Sequence, residues 1–202
     1  GYAGTHWSGL NLRLGVAYTW NMLSIQRNVG FVNYSDRLSS NYLGGTAQAF
    51  GELGYKFHIG HGMIEPFGNI AYVNQQTNKY DETGGQAALH GRGMDTGVTF
   101  STFGVKASSS FHAGRLLLIP HGSVAYRHAF GLTTPTTHML FAAGGSGSMD
   151  IAGTPLSTDA VVLDTGLSAR LSDRIKIGLS YTGQYGAQSV ESGVKASMLL
   201  KF

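Results

Sequence analysis

Residues 10–22 read LNLRLGVAYTWNM, and their polarity alternates along the whole segment. Each even-numbered residue from Leu10 to Met22 is apolar or aromatic, whereas each odd-numbered one, such as Arg13 or Asn21, is polar or small. A period of two is the pattern of a β-strand that has one apolar and one polar face. The segment is therefore predicted to form such a strand.

The same alternation recurs along the chain. It is clear in residues 161–171 and 174–185 and in the last ten residues, GVKASMLLKF, and weaker in 46–57, 63–74, 99–111 and 115–130. Each of these segments is at least about as long as the 9–11 residues that a tilted membrane-crossing strand requires. We predict eight full strands, preceded by the end of another at residues 1–7, in a single domain over residues 1–202.

The composition excludes several classes of protein. Charged residues make up 12% of the chain, against about 25% in typical soluble domains. The longest aliphatic run, Leu116–Ile119, is far shorter than the roughly 20 apolar residues of a membrane-spanning helix. The net charge of +3 is too small to indicate a nucleic-acid partner, and without cysteine there is no disulfide or thiolate metal site. The first residues lack the features of a signal peptide and look like part of a longer protein.

The connections between the predicted strands are of two kinds, which alternate along the chain. Tight turns are predicted at residues 7–9, 59–62, 112–114 and 172–173. Long polar links are predicted at residues 26–45, 75–98 and 131–157, with a shorter one at 183–192. An up-and-down meander places all tight turns at one end and all long links at the other, as in an outer-membrane barrel.

Lipid favours the same architecture, because only helices and closed barrels can pair all their backbone groups there. We therefore predict an all-β fold, an up-and-down antiparallel transmembrane β-barrel. Its apolar face would point outward, because an outward Arg or Lys at mid-membrane costs roughly 2–4 kcal/mol. Aromatic residues near strand ends, at 7, 55, 57, 111, 185 and 202, suit interfacial girdles. The predicted lumen-facing polar residues are Arg13, Glu52, Lys106, Arg127, Asp164 and Arg170.

Other functions remain open at this point. A soluble β-sandwich or lipocalin-like barrel would also alternate. A rim-active membrane enzyme would need an acid such as Glu65 or Asp164, although these fit a solvated charge network better. His58 and His61 flank a predicted tight turn without a carboxylate cluster, so we expect no metal, no cofactor and no catalytic site.

Several long stretches, in the same order and over nearly the whole chain, resemble the C-terminal translocator β-domain of monomeric (type Va) autotransporters. The domains it resembles are those attached to AIDA-type adhesins and subtilisin-like protease passengers. The stretches are SDRLSSNYLGGTAQAFGELGY at residues 35–55, IEPFGNIAYVNQQTNKYDETGGQAALHGRG at 64–93, VAYRHAFG at 124–131 and AGTPLSTDAVVLDTGLSARLSDRIKIGLSYTGQYG at 152–186.

The resemblance implies a twelve-stranded barrel in the Gram-negative outer membrane. A linker helix would fill its pore and lead to an N-terminal passenger, which the barrel anchors and exports. Long loops would be extracellular and the C-terminus periplasmic. The implied partners are the passenger, the linker helix, the barrel-assembly machinery, and lipid or lipopolysaccharide. The family's first strands and linker are expected to lie outside this sequence. A porin or channel is the alternative function.

The resemblance also gives the last strand a second role, as a signal recognised by the assembly machinery through strand pairing. An unpaired edge strand is a ready template for such pairing. The implied signal residues are Gly193, Ala196, Met198, Leu200 and Phe202.

Overall fold

A computed structural model describes residues 1–114, 116–144, 147–172 and 174–200. Over these residues, no helix is long and apolar enough to cross a membrane. The described residues form β1 Tyr2–Trp7, β2 Leu10–Phe31, β3 Tyr34–Tyr55, β4 Phe57–Ile59, β5 Gly62–Thr77, β6 Tyr80–Asp81, β7 Leu89–Gly91, β8 Met94–Ser109, β9 Phe111–Ala113, β10 Leu116–Gly131, β11 Thr136–Phe141, β12 Ser148–Ala152, β13 Asp159–Arg170, β14 Ile175–Gly186 and β15 Val190–Leu200.

The main sheet is an antiparallel meander in the order β1-β2-β3-β5-β8-β10-β13-β14-β15. The short strands β4 and β9 pair with β5 and β10 at one end of the sheet. The all-β fold, the up-and-down order and the eight long strands are confirmed. Within the described residues β1 and β15 are the two edge strands, so the sheet is a curled half-barrel.

The tight turns lie together at one end of this sheet. β1 and β2 are joined by two residues, as are β4 and β5. Gly60 in the second of these turns has φ 57°, and Gly114 between β9 and β10 has φ 63°. Both angles lie in the left-handed region, which glycine adopts without steric cost. The predicted turn at 172–173 includes Asp173, which lies outside the described residues.

One face of the main sheet is polar, and the register shows which residues share it. Directly paired residues of antiparallel strands point to the same side. Arg13 pairs with Glu52, and Thr102 pairs with Arg127; Asn69 joins the two pairs, opposite Glu52 on one side and Thr102 on the other. The buried residues other than glycine in the main sheet's long strands lie on this face, at 11, 38, 40, 65, 98, 102, 125, 129, 160 and 168.

The polar face is concave, because its side chains touch across intervening strands. Arg13 of β2 reaches past β3 to Glu65 of β5, with 2.9 Å between Nη1 and Oε1. Arg127 of β10 reaches past β13 to Gln184 of β14, with 2.6 Å between Nη1 and Oε1. The convex face is apolar and exposed; its exposed residues include Leu14, Val16, Tyr18, Trp20, Met22, Ile70, Phe103, Val124, Leu167, Leu179 and Val194.

The predicted long link at residues 26–45 is wrong. β2 and β3 run through it and are joined by a two-residue turn, Val32–Asn33, in which Asn33 has φ 66°. Their register is unbroken from Leu10 opposite Tyr55 to Phe31 opposite Tyr34. At 22 residues each, these strands are about twice as long as a membrane crossing requires.

The links at 75–98 and 131–157 also contain strands that were not predicted. β6, β7, β11 and β12 form a second sheet in the order β12-β11-β7-β6. Along the chain, β12 leads into β13, β11 follows β10, β7 leads into β8 and β6 follows β5. The second sheet therefore keeps the strand order of the main sheet. Ser39 of β3 and Thr83 exchange backbone hydrogen bonds of 3.0 and 2.9 Å, which join β3 to the segment after β6.

The second sheet therefore continues the wall of the main sheet away from the tight turns. We call this part the collar: residues 23–31 of β2, 34–42 of β3, the strands β6, β7, β11 and β12, and the segment 82–88 that connects β6 to β7. Tyr80 of β6 stacks on Tyr42 of β3, with ring centroids 4.4 Å apart. Because Tyr42 has the parity of Glu52, this stack marks the inner side of the collar.

Candidate functional site on the concave face

Four charged side chains form the centre of the polar face. Arg13 donates to both Glu52 and Glu65, at 2.9 Å from Glu65 Oε1, and Lys106 donates to Glu52. The four residues come from β2, β3, β5 and β8, so four neighbouring strands supply one residue each. Two carboxylates balance two cations, which lowers the cost of holding each charge on a partly desolvated surface.

Glu65 is the most enclosed member of this cluster, because its side chain is 1% exposed. A Cβ atom at Gly54 of β3 would lie 2.5 Å from Glu65 Oε1, so glycine leaves the room that the carboxylate occupies. Lys106 Nζ lies 4.2 Å from the centroid of the Phe67 ring, within the range of a cation–π contact. Glu65 is therefore a buried partner of Arg13 and not part of a solvated network, which corrects that expectation.

Arg127 forms a second polar centre further along the sheet. Arg127 donates a hydrogen bond to Gln184, and its guanidinium carbon lies 5.6 Å from the centroid of the Phe100 ring. Its buried Nε has no hydrogen-bond partner among the described residues. The Arg127 guanidinium thus contacts one aromatic ring and one amide oxygen, and its Nε–H is still available to donate a hydrogen bond.

Asp164 and Arg170 share the concave face but join neither cluster. Asp164 of β13 pairs with Ser123 and Thr182, and Arg170 pairs with Leu117 and Lys176 near the tight turns. Neither residue forms an ion pair within the described parts of the chain. The six residues that the sequence indicated thus lie on one face, and the structure brings three of them, Arg13, Glu52 and Lys106, into contact.

Sequence reasoning missed several members of this face. Gln184 and Phe67 contact the charged residues, and neither was singled out. Parity gives the signal for Phe67, because it shares the odd parity of Glu65 and Asn69 on β5 and therefore lies on the same face. Only the strand pairing shows which of these residues meet.

The last strand, β15, pairs with β14 and has no second neighbour within the described residues. Of the predicted signal residues, Gly193 lies opposite Thr182 on the concave side. Ala196, Met198 and Leu200 lie on the convex side, opposite Leu179, Ile177 and Ile175. Phe202 lies outside the described residues. All eleven residues of β15 are exposed.

A third group of charges, in the collar, was not predicted. Arg27 Nη2 donates to Glu82 Oε2 at 2.6 Å and to the backbone oxygen of Ala87 at 2.8 Å. Asp36 accepts from the Ala87 amide at 3.0 Å and from the Tyr34 hydroxyl. These bonds hold the segment that connects β6 and β7 against β2 and β3.

The same bonds shift the pKa values of the collar groups. The hydrogen bond to Glu82 raises the pKa of Arg27. The Tyr34 hydroxyl, followed by the Ala87 amide, lowers the pKa of Asp36, and the same bond raises the pKa of Tyr34. The shifts favour a charged Arg27, a charged Asp36 and a protonated Tyr34 hydroxyl.

The sequence profile of the autotransporter β-domain matches residues 1–182 of the chain. Two proteins of Serratia marcescens, both named extracellular serine protease, are 28% and 27% identical to it over 201 residues. Each alignment covers 100% of this chain but 19% of the relative. The chain thus spans about a fifth of the length of these relatives.

The apolar convex face, the polar concave face and the meander are those of a transmembrane β-barrel wall, and with the family match they define a translocator domain. The chain belongs to the autotransporter β-domain family. Its place is the outer membrane, where it exports an attached N-terminal passenger. The enzyme name of the relatives describes proteins about five times as long as the matched region.

Proposed function

We propose that the translocator lies in the membrane with the tight turns in the periplasm and the collar outside the cell. Apolar residues cover the convex side of β2 only up to Met22, beyond which its outer side is polar, and this supports a collar outside the bilayer. The extracellular side is the one that the resemblance to autotransporter β-domains implies for the long loops. The C-terminus would then be periplasmic, and lipid or lipopolysaccharide would contact the convex face.

Two single cysteines in the full-length protein test this orientation, since residues 1–202 contain none. Ala143, between β11 and β12, and His61, between β4 and β5, are both exposed. A membrane-impermeant thiol reagent applied to intact cells should label Ala143→Cys and leave His61→Cys unlabelled until the cells are lysed. The reverse result would invert the orientation, and equal labelling would contradict a transmembrane arrangement.

We also propose that the concave face lines the lumen and solvates the linker helix and the transiting passenger. Arg13, Glu52, Lys106, Arg127, Asp164 and Arg170 would provide polar contacts there. The set contains both signs of charge, four cations and two carboxylates, so a passing chain meets polar partners of either sign. Replacing Glu52 and Glu65 together by Gln should slow the surface display of passengers carrying acidic segments, which the unpaired cations would retain. Unchanged display would argue against a lumenal role.

We propose that β15 is the signal recognised by the outer-membrane assembly machinery. Its free edge and its apolar convex residues, Ala196, Met198 and Leu200, support recognition by strand pairing. Deleting Phe202 from the full-length protein should abolish surface display while synthesis continues. Normal display after the deletion would contradict the signal role of that residue.

We propose that the translocator has no catalytic role of its own, that residues 1–202 act as one domain, and that any enzyme activity belongs to the passenger. The names of the Serratia relatives favour an extracellular serine protease as the passenger class. A serine-directed inhibitor should then abolish secreted proteolysis from the full-length protein, whereas Glu65→Gln and Asp164→Asn should not. Proteolysis lost in either variant while the passenger is still exported would assign chemistry to the barrel.

A further inference from the structure

The collar has an apolar inner surface, unlike the polar barrel face below it. On β2 the even-numbered residues are apolar up to Met22, but beyond it the apolar residues Leu23, Ile25, Val29 and Phe31 are odd-numbered. The register does not slip, so these residues have the parity of Arg13 and point inward. The two faces of the wall therefore exchange polarity at Met22.

The second sheet extends this inner surface. Tyr80, which stacks on Tyr42, has its hydroxyl 3.7 Å from Met139 Sδ of β11. Met139 pairs with Met149 of β12, and Ile151 follows on the same side. Ile25 and Ile151 are 38% and 46% exposed, so the surface is open.

The charged groups on the inner side are already paired with each other. Arg27 binds Glu82 and the Ala87 carbonyl, and Asp36 binds Tyr34 and the Ala87 amide. Leu38, which is 0% exposed, lies beside this segment, because a Cβ atom at Gly84 would be 3.4 Å from Leu38 Cα. The open remainder of the inner surface is therefore mainly apolar, with two methionines that adapt easily to different partners.

The outer side of the collar is polar. His90 Nδ1 lies 2.5 Å from Asp81, and His138 pairs with Asp150, both on the face opposite to Tyr80 and Met139. Lipid cannot cover the inner surface, because that surface is concave and lies beyond the apolar band of the convex face. Its occupant must come along the axis of the barrel.

We propose that the collar is a docking surface for an apolar segment of the protein's own exported polypeptide, held where it leaves the lumen. This rests on the proposed orientation of the barrel. The relatives are about five times as long as this chain, and the passenger is attached to the barrel. A tethered segment that emerges beside the collar is present at high effective concentration, so modest apolar contacts suffice to hold it.

Site-specific photocrosslinking in the full-length protein on intact cells tests the proposal. A benzophenone amino acid replaces Ile25 on the inner side of β2, and in a matched variant it replaces Ser24, its neighbour on the outer side. Ile151 and Ser148 of β12 form a second matched pair. The two inner positions should give at least tenfold more crosslinks to passenger peptides than the two outer positions, as read by mass spectrometry.

Equal yields at inner and outer positions would overturn the proposal, as would inner crosslinks mainly to lipopolysaccharide, a second copy or another protein. Ile25→Asp provides a second measurement, because a charge on the apolar surface should lower the crosslinking yield from position 151 at least threefold. Ser24→Asp should leave this yield unchanged; an equal loss in both variants would count against docking. Cysteine labelling at Ala143 and His61 separates a wrong orientation from a failure of docking alone.

Discussion

Arg13 and Glu65 are separated by 52 residues and by the whole width of β3, yet their side chains lie 2.9 Å apart. The contact exists because the sheet curls toward its polar face, and it is possible because Gly54 of β3 has no side chain in the way. Glu65 is almost fully buried while Arg13 keeps about a quarter of its side-chain surface exposed. The pair therefore links β2 to β5 across β3, and we call this contact the cross-tie.

Glu65→Gln should destabilise the folded barrel. The change keeps the shape of the side chain but removes the charge, so that Arg13 and Lys106 share a single carboxylate, Glu52. Hydrogen bonds to charged groups contribute about 1.5–3 kcal/mol each, and we expect a loss of free energy of unfolding in that range.

The measurement is the loss of heat-modifiable gel mobility or of circular dichroism on heating in detergent. Glu191→Gln on β15 is the control, since Glu191 is exposed and forms no ion pair among the described residues. Equal melting of both variants would contradict the cross-tie.

Gly54→Ala should also destabilise the barrel, although alanine is a small residue. The added methyl group would lie 2.5 Å from Glu65 Oε1 and 3.1 Å from its Cγ, so the carboxylate must move away from Arg13. Overpacking of this kind costs about 1–3 kcal/mol.

Gly4→Ala is the matched control, because Gly4 lies opposite Arg13 on the same face. A methyl group there would have its nearest atom at 3.6 Å. The free energy of unfolding should therefore change by no more than about 0.5 kcal/mol. Denaturant unfolding in detergent measures the free energy of unfolding of both variants. Equal stabilities for the two variants would mean that Gly54 does not reserve space for Glu65.

The sequence predicted the strands of the barrel because lipid imposes one simple rule, apolar residues outside. The rule ends where the lipid ends. At Leu23 the apolar parity of β2 switches, which looks like the end of a strand, although the backbone pairing continues to Phe31. Alternation depends on what each face contacts, and the inner face of the collar packs against segments more than 40 residues away. Arg27 and Glu82 meet only through that packing, so neither showed a local signal.

The attachment of the collar should weaken in acid. The folded-state pKa of Asp36 is lowered by Tyr34 and by the Ala87 amide. Its contribution is therefore present above the unfolded pKa of about 3.9 and is lost as the pH falls through the lower folded value. The pKa of Tyr34 is raised, so its contribution is complete below about pH 10 and is lost above it.

Hydrogen exchange of the Ala87 amide, corrected for intrinsic rates, is the measurement for this prediction. Protection in the wild type should be highest between about pH 5 and pH 9 and should fall toward pH 3, given the ordinary pKa values of the two groups. Asp36→Asn should show lower protection at neutral pH and a smaller change in acid. A variant with the same acid profile as the wild type would exclude Asp36 as the titrating group.

Arg27→Lys should loosen the collar even though the positive charge is retained. Arg27 makes two bonds to Glu82 and one to the Ala87 carbonyl, a fork that a lysine ammonium cannot reproduce. We expect a local loss of about 1.5–3 kcal/mol, because hydrogen bonds to a buried carboxylate disappear. Limited proteolysis in residues 82–88 should therefore become about tenfold faster or more, since each 1.4 kcal/mol corresponds to a factor of ten when cleavage follows local opening.

Arg37→Lys is the control, because Arg37 lies on the outer side of the same hairpin, opposite Asn28. If both variants are cleaved at the wild-type rate, the ion pair does not hold the connecting segment, and the apolar packing around Leu38 must do so alone.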